Sequence, residues 1–256
     1  MITIIITTYY QPEALDLCLE SIIKTQKHKN QILVIENGFC ENNVPVFEKY
    51  KGYIDVLPFK ENVGMNRALN LGMSNASFDK VFVAQDDMIF SEHFDQKLLE
   101  DYQPNSVLTP NSIEPYPSIF KQFVIKDLGR KIEGFSIDAF VEFEKSVAKD
   151  VIDETGSTFP FFINKYDYLK VGGFDENYPL SGVVADWDFF LKCNLSGFKM
   201  LRTYKCSLYH FVSLSTKVTD EQKSRRAADE RSGYEYAVYK WGTNIKHNPE
   251  NNSKYI

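Results

Sequence analysis

The chain has 256 residues, 43% of them hydrophobic, with 29 Lys+Arg against 35 Asp+Glu and a net charge of −6. That is enough apolar mass for one large α/β domain or two small ones, and the acidic balance excludes a global basic field that would draw in nucleic acid or an anionic membrane surface. No stretch approaches the roughly 20 apolar residues that span a bilayer, Met1 leads into a short apolar run without a leader's basic flank, and Cys18, Cys40, Cys193 and Cys206 show neither C-x-x-C pairing nor metal-ligand spacing, so the expectation is a cytoplasmic chain with reduced thiols.

Residues 2–7 are a β-branched run that predicts a strand, closed by Thr8-Tyr9-Tyr10-Gln11-Pro12. Proline is tolerated in the first turn of a helix, and Leu15, Leu19, Ile22 and Ile23 then place one apolar stripe at helical spacing. Strands follow at 31–35, ending in Glu36-Asn37-Gly38, and at 54–59. A helix over 64–76 turns Met65, Ala68, Leu69 and Met73 inward, and residues 80–84 read as a further strand. This alternation predicts a mostly parallel sheet with helices on both faces. Ligands bind such sheets beyond the carboxyl ends of the strands, where Thr8, Glu36 and Asp86 all stand.

Residues 103–160 change character. Pro104, Pro110, Pro115 and Pro117 interrupt regular structure, and a helix over 136–150 follows through Ile137, Phe140, Val141 and Val147. The stretch reads as an insertion beside the cleft. A strand at 161–163 and a helix over 186–193 come next. Thr219-Asp220-Glu221-Gln222 resembles a capping box opening a long polar helix toward Trp241, and the Asn- and Lys-rich segment 247–256 is expected to fray.

Gln85-Asp86-Asp87-Met88 is the most informative tetrapeptide. Adjacent acids at the end of a buried strand repel each other and lose hydration, and a divalent cation shared with a phosphate relieves both costs. Asp is also common wherever a strand stops. Other blocks surround this one in order. They are Ile6-Thr7-Thr8-Tyr9-Tyr10-Gln11-Pro12-Glu13-Ala14-Leu15, then Ile32-Leu33-Val34-Ile35-Glu36-Asn37-Gly38, then Glu61-Asn62-Val63-Gly64 with Asn70-Leu71-Gly72. After the acid pair come Gly172-Gly173-Phe174-Asp175-Glu176, Ala185-Asp186-Trp187-Asp188-Phe189, His210 with Ser213 and Ser215, and Lys240-Trp241-Gly242. Together they resemble the family 2 glycosyltransferases, inverting enzymes of the GT-A fold that use nucleotide sugars, over roughly residues 2–245. Met88 stands where many members carry a third acid, and Ala185 where the family has an acid before the aspartate.

The resemblance implies an α/β GT-A fold, Rossmann-like in its nucleotide-binding part, with an acceptor-side insertion and a C-terminal helix. Residues 1–102 would bind the nucleotide sugar, residues 103–218 would form the acceptor-binding and catalytic half of the same domain, and 219–256 would be the helix and tail. It implies a Mn²⁺ or Mg²⁺ cofactor on Asp87, with Asp86 sharing the metal or contacting the ribose and His210 completing the shell. Glu36 would accept the N3–H of a uracil-like base, Thr8 and Tyr9 would line that pocket, Asn62 falls on the nucleotide side, and Arg67 would pair with the diphosphate or face solvent. Asp186 would be the general base that takes the acceptor hydroxyl proton while the oxygen attacks the anomeric carbon; taken alone it also suits a helix N-cap. Gly172, Gly173, Asp175, Trp187 and Asp188 fall on the acceptor and sugar side. The partners implied are a nucleoside-diphosphate sugar, uridine-linked, and a glycan, lipid-linked or other hydroxyl acceptor.

Competing chemistries lack their signatures. A sugar-phosphate nucleotidyltransferase needs a glycine-rich loop after the first strand, but residues 7–13 contain no glycine, and no G-x-G-x-x-G for a dinucleotide occurs. A glycoside hydrolase would use paired carboxylates but leave the strand-end acids without a purpose. The alternative from another class is a catalytically inactive relative that binds a nucleotide sugar or glycan, supported by Ala185 and Met88.

Overall fold

The computed structural model describes residues 1–212, 214, 220–242 and 245. Ser213, Ser215, Thr219 and the segment 247–256 lie outside the described residues.

The first elements follow the sequence pattern closely. Strand β1 (Thr3–Thr8) is buried along its whole length, and helix α1 (Pro12–Thr25) opens with proline in its first turn and buries Leu15, Leu19 and Ile22. Then come β2 (Gln31–Asn37), the short helix α2 (Val44–Lys49), β3 (Ile54–Phe59), α3 (Met65–Ser74) and β4 (Lys80–Gln85). β2 and β4 flank β1, and β3 lies outside β2, all in parallel. Being buried on both faces, these strands are continuously apolar rather than alternating. Ile5, Leu33, Ile35, Val81 and Val83 pack under Ala68, Leu69 and Met73 of α3, while Ile4, Ile6, Val34, Phe82 and Ala84 pack against α1 on the other face.

The second half departs from the expected insertion. β5 (Met88–Ile89), α4 (Phe94–Asp101), β6 (Ser106–Glu114), β7 (Val124–Ile125), α5 (Ile137–Val147), β8 (Ile152–Asp153), β9 (Phe161–Asn164), α6 (Lys165–Lys170), α7 (Ala185–Leu195), β10 (Lys199–His210) and α8 (Asp220–Trp241) complete the chain order. The strands join one sheet in the order β3-β2-β1-β4-β9-β6-β10-β5, with β7 on β6 and β8 on β10. β9 runs antiparallel to both β4 and β6, whereas β6 and β10 are parallel, so the sheet is mixed beyond β4.

Pro110 does not break the chain as the sequence reading expects, but lies inside the fully buried β6. Its ladder partner is Thr203, beside the register shift that β10 makes between Thr203 and Ser207. A strand tolerates a missing N–H where the ladder is already irregular. The helix expected over 136–150 spans Ile137–Val147, with the Ser136 hydroxyl capping it by accepting from the Ala139 amide at 3.2 Å.

Candidate functional site

The parallel register places the carboxyl ends of β2, β1 and β4 in one row. Thr8 stands opposite Glu36, and Thr7 opposite Gln85, the residue before the acid pair. Glu36 is buried, and its Oε1 accepts from the Cys40 amide at 3.2 Å and from Asn43 Nδ2 at 3.0 Å. The loop after β2 therefore fixes the carboxylate's rotamer. Tyr9 and Tyr10 leave the strand exposed, their rings edge-on with centroids 4.6 Å apart, and Tyr10 takes a left-handed backbone (φ 54) that turns the chain out of the sheet.

Along the rim, Asn37 Oδ1 accepts from the Val63 amide at 2.9 Å and Asn62 Oδ1 from the Gly64 amide at 2.8 Å. Asn62 thus shapes the loop that starts α3. Arg67, on the exposed side of that helix, lines a hollow of about 230 Å³ with Asn66, Glu176, Tyr178 and Leu180.

At the end of β4 the chain turns and reverses into β5, whose Met88 pairs with His210 of β10. This ladder carries the last strand's histidine to the acids: His210 Nε2 lies 3.5 Å from Asp87 Oδ2, while His210 Nδ1 lies 3.0 Å from Glu114 Oε1 at the end of β6. Burial lowers the imidazole's proton affinity, but Asp87 and Glu114 outweigh it and raise the pKa to about 10. Burial, reinforced by the Asp87 carboxylate, raises the Asp86 carboxyl to about 8, against smaller opposing effects of Thr8 and the Tyr9 amide. Asp86 Oδ2, Asp87 Oδ1 and Thr8 Oγ1 are all buried without a hydrogen bond of good geometry. Buried polar atoms are normally satisfied. Three orphaned oxygens at the neighbouring ends of β1 and β4 mark a place that suits a positive charge and its oxygen-bearing ligand. Among the described residues no group of three or more His, Cys, Asp and Glu side chains is arranged so that it could hold a metal ion by itself. Asp87 and His210 stand beside each other there, and Glu114 holds the other imidazole nitrogen.

Asp186 sits in the first turn of α7, but Val184 and not Asp186 is the N-cap. Val184 takes φ 73, a conformation that β-branched residues rarely adopt. The Asp186 carboxylate instead faces the free amides of the helix's first turn, those of Trp187 and of Asp186 itself. Burial raises it to about 6, opposed by the Trp187 and Asp186 amides and the Arg226 charge.

A chain of contacts through Met65 joins the two groups of acids. The Met65 sulfur lies 3.7 Å from Gln85 Nε2, and a Cβ on Gly182 would stand 3.2 Å from the same sulfur. The Ala185 amide in turn donates to the Gly182 carbonyl at 3.1 Å. Met65 thus links the turn that carries Asp86 and Asp87 to the loop that launches Asp186.

The residues that the resemblance puts on the acceptor side fasten the wall behind. Gly173, with φ +59, packs where a Cβ would strike Asn70 Oδ1 and the Tyr168 ring, while Gly172 has open space around it. Asp188 is fully buried, accepts from Trp241 Nε1 at 2.8 Å and pairs with Lys240. Asp175 also binds Lys240, at 2.7 Å. Trp187 is half-buried against Tyr234, with ring centroids 5.8 Å apart. Glu114, Lys240 and Tyr234 were not singled out as site residues from the sequence; Lys240 had its motif as a signal, the other two none.

Residues 3–134 match the description Glycosyl transferase family 2. The chain belongs to that family. Among curated relatives, the poly-beta-1,6-N-acetyl-D-glucosamine synthase of Staphylococcus aureus (strain COL) is 22% identical over 193 residues, covering 75% of this chain and 46% of the relative. The synthase of Staphylococcus epidermidis is 23% identical over 193 residues, covering 74% and 46%. The chain spans about half the length of these curated relatives. In fold it resembles GalNAc-T7 solved with UDP, GalNAc and Mn²⁺ (TM-score 0.60, 12% identity, covering 81% of this chain and 43% of that one). It also resembles the Pyrobaculum calidifontis mannosyltransferase PcManGT solved with GDP-Man and Mn²⁺ (TM-score 0.59, 12% identity, 93% and 64%). The fold of this family 2 member is therefore that of the GT-A glycosyltransferases. No helix among its described residues is long and apolar enough to cross a membrane.

Proposed function

We propose that this family 2 glycosyltransferase moves a sugar from a uridine-diphosphate donor to an acceptor hydroxyl with inversion, using Mn²⁺ or Mg²⁺. The observation that carries the reading is the row of orphaned oxygens on Thr8, Asp86 and Asp87 beside His210. The relatives named as N-acetylglucosamine polymer synthases and the neighbours solved with nucleotides and Mn²⁺ support it.

Asp87 and His210 would hold the metal, with Asp86 close enough to share it. A hard divalent cation bound there would act as the Lewis acid for a departing diphosphate. An imidazole donor beside the carboxylate departs from the oxygen shell that Mg²⁺ prefers. Glu36, its rotamer fixed by Cys40 and Asn43, presents its carboxylate as the acceptor for a uracil N3–H. Thr8 faces the same pocket, and the exposed Tyr9 ring offers a stacking surface. Asp186, raised toward neutrality by burial, is matched to taking a proton near pH 6 to 7. The acceptor is a glycan, a lipid-linked sugar or another alcohol.

A thermal-shift panel of nucleoside diphosphates and their sugars, with Mn²⁺ or chelator, tests the reading. A ligand at about 100 times its Kd adds roughly 2.7 kcal/mol of stability. UDP or a UDP-sugar should shift the melting temperature in Mn²⁺ and not in chelator. A panel with no metal-dependent shift would end the proposal.

A further inference from the structure

The C-terminal helix carries a buried ionic hub that the transfer chemistry does not use. Lys240 Nζ lies 2.7 Å from Asp175 Oδ2 and 2.8 Å from Asp188 Oδ1. Asp188 Oδ1 also accepts from Trp241 Nε1 at 2.8 Å and from the Tyr178 hydroxyl at 3.3 Å, while the Tyr236 hydroxyl donates to Asp175 Oδ2 at 3.0 Å. Lys192 approaches Asp188 from α7 at 3.7 Å and donates to the Gly173 carbonyl. One ammonium therefore ties α8 to two places at once, the Gly173–Asp175 turn and the first turn of α7.

A second contact lies nearer the start of α8. Gly233 is buried there, and a Cβ built on it would stand 2.9 Å from the Val183 carbonyl oxygen and 3.2 Å from Val184 Cγ2. Gly233 thus seats against the residue whose left-handed backbone starts α7. The next residue, Tyr234, packs on Trp187 with ring centroids 5.8 Å apart. Asp186 lies between Val184 and Asp188, so the segment that carries it is gripped from α8 on either side. A strained cap persists only where its surroundings over-determine it, and a helix turn cannot rotate while a buried carboxylate within it is bound to a fixed cation.

We propose that α8 is the element that positions the Asp186 carboxylate, with Lys240 as the positioning residue, acting through Asp188, and Gly233 as the seat for Val184. The significance for transfer rests on Asp186 being the base, as argued above. The fastening itself does not.

The test uses the full chain and needs neither donor nor acceptor. Wild type, Lys240→Met and Gly233→Ala are compared by hydrogen exchange of the segment 183–190 and by carboxyl ¹³C titration of Asp186. The charged and titratable groups facing Asp186 from α8, namely Arg226 and Tyr234, are kept in all three proteins, as is Glu230 beside Tyr234. In Lys240→Met the 183–190 amides should exchange about 10²-fold faster, the scale of losing one partner of a buried ion pair, and in Gly233→Ala the same segment should also exchange faster than in wild type. The Asp186 titration should fall toward the ordinary carboxylate range as the side chain meets water. Residues 80–88 should exchange at wild-type rates, and Mn²⁺-dependent UDP binding should be unchanged. A merely structural Lys240 would lower global stability without selecting 183–190. Wild-type exchange and titration in Gly233→Ala, which keeps every charge, would overturn the proposal even if Lys240→Met fails to fold. Asp186→Asn, assayed separately for transfer, tests the base assignment on its own.

Discussion

His210 reaches Asp87 from the far end of the chain, its Nε2 3.5 Å from Asp87 Oδ2, because β5 returns the chain from the acid pair directly onto β10. Met88, standing where relatives carry an acid, is buried and pairs with His210 across that ladder. The residue that looks like a defect in the motif is thus a packing element that brings the histidine into range. Asp87→Ala should remove the effect of Mn²⁺ on UDP binding, leaving the affinity measured in chelator. Calorimetry with and without Mn²⁺ checks this, and unchanged metal-dependent binding would refute the ligand assignment.

Glu114 gives a second prediction. It holds His210 Nδ1 at 3.0 Å, which directs Nε2 toward Asp87. Glu114→Gln keeps the shape but weakens the orientation and basicity of the imidazole, and changes of this kind cost about 10- to 100-fold in metal affinity. Mn²⁺ titration should show a loss on that scale with the fold intact by circular dichroism.

Glu114 also marks where sequence reading stopped. The row Thr8, Glu36, Asp86 was legible because β1, β2 and β4 are local, continuously apolar and each closed by a polar turn. β6 and β10 were not. Pro110 lies within β6, and β10 (Lys199–His210) carries Arg202, Thr203 and Lys205 amid its apolar residues. Arg202 is buried nonetheless, donating to the Pro110 and Thr155 carbonyls at 3.2 Å. Its satisfaction comes from residues distant in sequence, so no local pattern announces a strand. The roles of Asp175 and Asp188 were hidden for the same reason: their partner Lys240 lies on α8.

Glu36 supports a third prediction, on base selectivity. Its Oε1 is committed to Cys40 and Asn43, so Glu36→Gln faces a conflict whichever way the amide turns. Either its NH₂ meets those donors or it meets the uracil N3–H. Leaving such a donor unpaired costs about 1–3 kcal/mol. UDP affinity should fall accordingly while that for GDP does not, as a competition series in Mn²⁺ would read. Equal losses for both nucleotides would remove Glu36 from base recognition.

Asp186 fixes the sign of the pH dependence. Burial raises its carboxyl to about 6, and the nearby amides and Arg226 only partly oppose this. A base works in its charged form, so the turnover rate should be level above pH 6 and fall about tenfold per unit below it. The stability linkage runs the other way. A carboxyl whose folded pKa exceeds its ordinary 3.8 binds protons more tightly when folded, so its contribution to stability grows as pH falls through 6 toward 4. Loss of rate in that window therefore cannot be assigned to unfolding driven by this group. Asp186→Asn should remove the acid limb and lower transfer by about 10²-fold or more, with nucleotide binding retained. A variant with full activity, or one whose rate still falls below pH 6 with the wild-type profile, would show that another group takes the proton.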